Sequence, residues 1–121
     1  MNGKKIIIFG SESKLGIKLK KSLVKKGCTV ISCDQKLSNK KKLIKKNKRI
    51  YEFGLDVRSE QSVKNFYEII RSKIKKIDGI VFSVTKKTTD FYYPFKDFSY
   101  KNWKNIIDTE LGGAFLVSKY F

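Results

Sequence analysis

An α/β fold on a doubly wound parallel sheet is the architecture this sequence predicts, and three observations carry it. Short apolar runs alternate with amphipathic stretches along all 121 residues, the pattern of repeated βαβ units. The first run, KIIIF at Lys5–Phe9, has the unbroken apolar character of a strand buried on both faces. Glycines stand at the junctions, Gly10 after the first strand and Gly27 after the first helix. With right-handed crossovers, four strands take the order 3-2-1-4. The chain is expected to be one domain over residues 1–121, ending inside its fourth helix with the fourth strand as an open sheet edge.

The elements follow in order. After Lys5–Phe9 and a turn at Gly10–Ser13, Lys14–Lys26 reads as a helix with Leu15, Leu19 and Leu23 on one face. Gly27 closes it where a left-handed residue is wanted. Cys28–Cys33 is the second strand, and Leu37–Lys46 is expected to be a short basic helix. Arg49–Leu55 is the third strand, ending in Asp56. Ser59 caps the next helix with Glu60 in its first turn. There Val63, Phe66, Ile70, Ile74 and Ile77 form a core-facing stripe. Gly79–Val84 is the fourth strand, followed by a loop from Thr85 to about Ser99 that holds Pro94, the one proline. The last helix carries Trp103, Ile107, Leu111, Ala114, Phe115 and Phe121.

Charge is the anomaly of the composition: 28 basic residues against 11 acidic give a formal +17. A polyanion such as nucleic acid is the partner this suggests. Two features weigh against it. Arginine, the usual bidentate reader, occurs only at Arg49, Arg58 and Arg71. The densest basic stretch, Lys36–Arg49, is interleaved with Leu43 and Ile44 and not with aromatics that would stack on bases. Cys28 and Cys33, in one strand, would lie roughly 16 Å apart and on opposite faces, so neither a disulfide nor a shared metal is expected. The chain has no histidine, which removes the commonest zinc ligand and general base. Its longest early apolar run, Ile6–Phe9, is too short for a signal core or a membrane span, so a cytoplasmic setting and no membrane partner are expected.

The chemistry-bearing segment is FGSESKLG, which joins the first strand to the first helix. Gly10 permits the tight turn, and Gly16 lets the helix pack close to the sheet. The helix N-terminus then offers free N–H groups and a positive dipole end to a pyrophosphate. Asp34, at the exit of the second strand, lies 18 residues beyond Gly16, near the interval at which an acid meets a dinucleotide's ribose. A carboxylate there accepts the ribose hydroxyls of NAD and repels the extra phosphate of NADP, although the basic neighbourhood keeps NADP open. A solvated strand-end or capping aspartate is the plainer alternative.

From this point the residues resemble the short-chain dehydrogenase/reductase family, whose turn reads T-G-x-x-x-G-x-G or G-x-x-G-x-x-G. Gly10 and Gly16 match its outer glycines. Ser13 or, in the other register, Lys14 replaces the middle one, and Phe9 replaces the threonine. The resemblance implies a Rossmann-type sheet, with Ser13 facing the pyrophosphate and Lys14 and Leu15 beside it. LDVRSEQSVKNFYEII resembles the family's third-strand exit, which implies that Asp56 meets the adenine amino group with Val57 flanking it. KIDGIVFSVT resembles the fourth strand, but Phe82-Ser83-Val84-Thr85 stands where the family has Asn-Asn-Ala-Gly. Ser83 and Val84 would still face the cofactor. In WKNIIDTELGGAFLVSKYF, the residues Leu111, Gly112, Gly113 and Phe115 fit the family helix, whereas Glu110 occupies the place of its asparagine. The paired glycines and FKDFSYKNW resemble the branch of flagellin-modification and nonulosonate-sugar oxidoreductases.

The family's catalytic Ser and Tyr-x-x-x-Lys lie beyond this helix, so no catalytic residue is assigned. Tyr92 with Lys96 and Tyr100 with Lys104 match the spacing by chance: Pro94 opposes a helix in the first, and the second opens the wrong helix. The resemblance thus implies the NAD-binding half of an NAD(P)-dependent oxidoreductase acting on a carbonyl or alcohol carbon, without turnover from these residues alone. It also implies a homo-oligomer through the last helix. The alternatives are a degenerate nucleotide-binding module marked by Ser13, Lys14, Phe82, Thr85 and Glu110, and a basic nucleic-acid-binding protein.

Overall fold

The four apolar runs pair as parallel strands in the computed structural model, which describes residues 1–89 and 91–121. They are β1 (Lys5–Phe9), β2 (Thr29–Asp34), β4 (Ile50–Gly54) and β5 (Gly79–Phe82), and a short β3 (Ile44–Asn47) joins antiparallel to β4. The sheet runs β3-β4-β2-β1-β5, so the expected 3-2-1-4 order holds among the parallel strands. Helices α1 (Lys14–Lys25), α2 (Glu60–Lys73), α3 (Tyr100–Ile107) and α4 (Gly113–Tyr120) complete the fold. The loop after β5 contains one 3₁₀ turn at Phe95–Asp97, and Asp90 within it lies outside the described residues.

Alternation along the strands builds two apolar faces. Ile7, Phe9, Ile31, Cys33 and Phe53 meet Val63, Phe66 and Ile70 of α2 in one buried cluster. The Phe66 ring is its hub, 6.0 Å edge-on from Phe9, 4.7 Å from Phe53 and 5.6 Å from Phe121, centroid to centroid. Each fully buried ring of this kind contributes about 1.5–3 kcal/mol. Of the stripe expected on α2, Val63, Phe66 and Ile70 are buried on the helix and Ile74 is its C-cap, while Ile77 lies beyond its end; Ser59 caps the helix through the Ser62 amide. On α1 the expected stripe is only partly right. Leu19 and Leu23 are half-buried, but Leu15 is 58% exposed and Gly16 is the helix's buried residue. The helix crosses the sheet so closely at its first turn that only a residue without a side chain fits there.

The basic helix expected at Leu37–Lys46 does not form. Gln35–Leu37 makes a single 3₁₀ turn after the Asp34 cap, and Ile44–Asn47 is an exposed edge strand. The physical reason is that Leu43 and Ile44 are adjacent and unrepeated, so a helix here would have no apolar stripe to bury. As a strand, the segment lets Leu43 pack on the core cluster. It also brings Lys46 (2.9 Å) and Lys40 onto Glu52 of β4, whose side chain is 4% exposed. The Asn47 side chain accepts from the Arg49 amide at 2.9 Å to form the turn into β4.

The last helix is also not the single regular one expected. A π turn at Asp108–Gly112 separates α3 from α4. Thr109, Gly113 and Val117 are its buried positions, while Trp103, Leu111 and Phe115 are 47%, 67% and 64% exposed. Gly113 sits against Val57 and Phe82, and a Cβ there would lie 2.7 Å from the Val57 Cγ2. That contact sets the helix across the exits of β4 and β5.

Burial pushes the Glu52 carboxyl up, but the hydrogen bonds and charges of Lys40 and Lys46 outweigh it and leave the group below its ordinary range. A depressed carboxyl contributes stability that is complete above its unfolded-state pKa, about 4.3, and lost as pH falls through the folded value. We expect Glu52→Gln to cost about 1–2 kcal/mol at neutral pH, with loss of amide-exchange protection concentrated in β3. Urea unfolding followed from pH 7 to pH 3 should fall less steeply below about pH 4.5 in the variant than in the wild type.

Candidate functional site

Parallel strands that share a direction end together, and the C-terminal ends of β1, β2, β4 and β5 open onto one cleft. At its centre the Gly10 and Ser11 amides donate to the Cys33 carbonyl at 2.9 and 3.2 Å, and the Ser83 amide donates to the Phe9 carbonyl at 2.8 Å. Gly10 has φ +83°, and a Cβ on it would lie 2.3 Å from the Ser83 carbonyl oxygen. Both the backbone angle and the space require glycine.

Ser13 caps α1. Its hydroxyl accepts from the Gly16 amide at 3.0 Å and donates to the Gly10 carbonyl at 2.9 Å. Among the described residues, the amides of Lys14 and Leu15 meet no acceptor, as expected for the open first turn of a helix. Glu12, an acid inside this turn, is paired with Lys20 at 2.7 Å.

Two carboxylates flank the cleft. Asp34 accepts from the Glu12 amide and the Lys36 amide, both at 2.9 Å, so each oxygen is oriented by a backbone donor. Asp56 holds the Arg58 guanidinium in a fork, 3.1 Å from Nε and 2.9 Å from Nη2, and also accepts from the Arg58 amide at 3.0 Å. Those bonds hold the Asp56 carboxyl below its ordinary range against the opposing effect of burial. Arg58 reaches further, to the Asn105 side chain of α3 at 3.1 Å. Cys33 lies on the cleft wall, but burial, with the Asp34 charge adding, pushes its thiol well up, so it stays protonated.

Of the ten residues singled out from sequence, Gly10, Ser13, Asp34, Asp56, Val57, Ser83 and Val84 line this cleft. Lys14 and Leu15 do not: their side chains are exposed, and only their amides face the open turn. Gly16 is buried behind the turn, where a Cβ would lie 2.3 Å from the Gly10 carbonyl oxygen. Sequence reasoning missed Lys36, Arg58, Lys86 and Thr109, which also line the cleft. Arg58 carried a signal, two residues beyond an acid at a strand exit, whereas Lys86 was one lysine among many.

Three positions that depart from the family pattern have clear placements. Phe82 does not obstruct the cleft. Its ring turns into the core, 6.3 Å from Phe9 and against Gly113. Thr85 and Glu110 are partners: the threonine hydroxyl donates to the Glu110 carboxylate at 2.7 Å, and the Lys86 amide joins it at 3.2 Å. The tyrosines of the two Tyr-x-x-x-Lys strings lie away from the cleft, Tyr92 84% exposed and Tyr100 stacked on Trp103. Among the described residues no three metal-ligating side chains gather, and no helix is long and apolar enough to cross a membrane.

Comparison with known proteins agrees with this geometry. The family model described as short chain dehydrogenase matches residues 4–121. Among solved structures, a short chain dehydrogenase from Leptospira borgpetersenii with bound NAD+ superposes with a TM-score of 0.80 at 20% identity, over 99% of this chain and 45% of that one. A short chain dehydrogenase from Bacillus anthracis gives a TM-score of 0.80 at 27% identity, over 96% and 47%. An aldohexose dehydrogenase from Thermoplasma acidophilum gives 0.80 at 21% identity, over 98% and 43%. The chain therefore spans somewhat less than half the length of these relatives. On the family match and the ordered strand-end cleft together, this chain belongs to the short-chain dehydrogenase family.

Proposed function

We propose that these residues form the NAD-binding half of a short-chain oxidoreductase. The observation that carries the reading is the open first turn of α1, with the free Lys14 and Leu15 amides, set beside a cleft with an oriented carboxylate on its β2 side. Free amides at a helix N-terminus suit a pyrophosphate. Asp34, held by two backbone donors, still has lone pairs to accept a ribose hydroxyl pair. Asp56 and Val57 would meet the adenine, and Ser83 and Val84 the second nucleotide. NADP would bring its extra phosphate against Asp34, so NAD is the expected form.

Nicotinamide supplies hydride chemistry when bound, and the protein's part is placement and electrostatics. In this half the residues orient the dinucleotide across the strand ends. The acid–base group acting on a carbonyl or alcohol carbon is not among them, so binding without turnover is expected of the 121 residues alone. The pairing of Thr85 with Glu110 and the inward turn of Phe82 support an intact site over a degenerate one, because the departures are accommodated and do not block the cleft.

Calorimetric titration with NAD, NADP and their reduced forms tests this directly. NAD should bind, and Asp34→Ala should weaken it about 10- to 100-fold, as expected for loss of charge-assisted hydrogen bonds. No binding of any of the four by folded protein would refute the reading. Gly10→Ala places a methyl on the Ser83 carbonyl at a positive φ, so it should lower unfolding stability by at least about 2 kcal/mol and abolish NAD binding at concentrations that saturate the wild type.

A further inference from the structure

We infer that Glu110 is a positioning residue for the β5 side of the cleft, and that Thr85 is its paired partner. The inference rests on the NAD reading and adds a role to two residues that depart from the family pattern. The segment after β5 has no secondary structure of its own from Ser83 to Lys86, yet all four of its residues line the cleft. A backbone without ladder partners needs some other anchor to keep one shape. The Ser83 amide is held by β1 through the Phe9 carbonyl. Beyond it, Glu110 Oε1 anchors the segment, accepting from both the Thr85 hydroxyl and the Lys86 amide.

The π turn explains how Glu110 reaches this place. An added residue in the turn shifts the side-chain register between α3 and α4. Thr109, its hydroxyl donating to the Asn105 carbonyl at 2.7 Å, lines the cleft, and the neighbouring Glu110 is half-buried against the β5 exit. Hydrogen bonds to an ionised acceptor are roughly twice as strong as neutral ones, so a carboxylate can fix a two-residue stretch where an amide would hold it less firmly.

Geometry also says which half of the ligand is affected. On the NAD reading, the pyrophosphate would lie at the open first turn of α1 and the adenosine ribose at Asp34, on the β2 side. The second nucleotide must therefore extend to the opposite side, over β5. Glu110 holds that wall directly, whereas Asp34 on the adenosine side is held independently by the Glu12 and Lys36 amides. Its loss should weaken NAD and spare AMP.

The experiment measures the affinities of NAD and AMP for the wild type, Glu110→Ala, Glu110→Gln and Thr85→Val, with amide exchange at Lys86. Glu110→Ala should weaken NAD about tenfold, leave AMP within about twofold, and speed Lys86 exchange. Glu110→Gln keeps an acceptor oxygen without the charge and should recover only part of the NAD affinity, and Thr85→Val, which keeps the Lys86 bond, should also lie between Glu110→Ala and the wild type. NAD and AMP falling together would show a general loss of structure and overturn the inference, as would unchanged NAD affinity and Lys86 exchange in Glu110→Ala. Either result in a wild type that binds NAD would overturn this inference alone, whereas a wild type that binds AMP but not NAD would overturn the NAD reading as well. A wild type that binds neither would overturn the cofactor reading and this one with it.

Discussion

The structure depends on the absence of a side chain at Gly10. Three strand ends converge on this residue: its amide bonds to the exit of β2, the carbonyl before it accepts from the exit of β5, and its Cα faces the Ser83 carbonyl with no room for a methyl. The positive φ turns the chain sharply enough for α1 to start only a few residues later, at Lys14. Gly16 then touches the Gly10 carbonyl, so helix and sheet meet at backbone distance. The same constraint that closes the core therefore leaves the first amides of α1 open at the C-terminal strand ends. Close packing and the open helix turn have one cause here.

That cause was readable from the sequence, because it is local. A strand, a glycine turn and an amphipathic helix are close along the chain, and period and composition report them. The stretch between β2 and β4 was not readable for the opposite reason. Its lysines favour a helix by propensity, and the missing apolar stripe weakens that helix without saying what replaces it. The deciding partner, Glu52, lies across the strand pair and is buried, so its charge draws in Lys46 of the edge strand and Lys40 of the segment before it. Tertiary pairing overrode a weak local preference, as it does wherever apolar periodicity is missing.

The candidate site divides along the same line. Asp34 was legible from its place at a strand exit, and Asp56, Val57, Ser83 and Val84 from the family resemblance; parallel strands then bring these positions together whatever side chains they carry. The bonds between those ends were not found. Arg58 forks onto Asp56 and reaches Asn105, and Glu110 receives Thr85 and Lys86. Taken one at a time, Thr85 and Glu110 read as losses from the family pattern. As partners 2.7 Å apart they form a bond that neither position discloses alone. Two departures that satisfy each other are poor evidence of decay.

The surplus of positive charge takes a different meaning once these acids are placed. A formal +17 attracts any anion, but beyond about 8–10 Å that attraction is screened at physiological salt. It affects how often a pyrophosphate-bearing ligand arrives more than which one stays. Selection needs fixed groups at short range. The two carboxylates on the cleft are the groups so fixed, one by backbone amides and the other by a guanidinium fork. Because both are oriented before any ligand enters, little ordering cost remains at the moment of binding. Under the cofactor reading, the lysines recruit without discrimination, and the oriented Asp34 rejects a ligand that carries one phosphate too many.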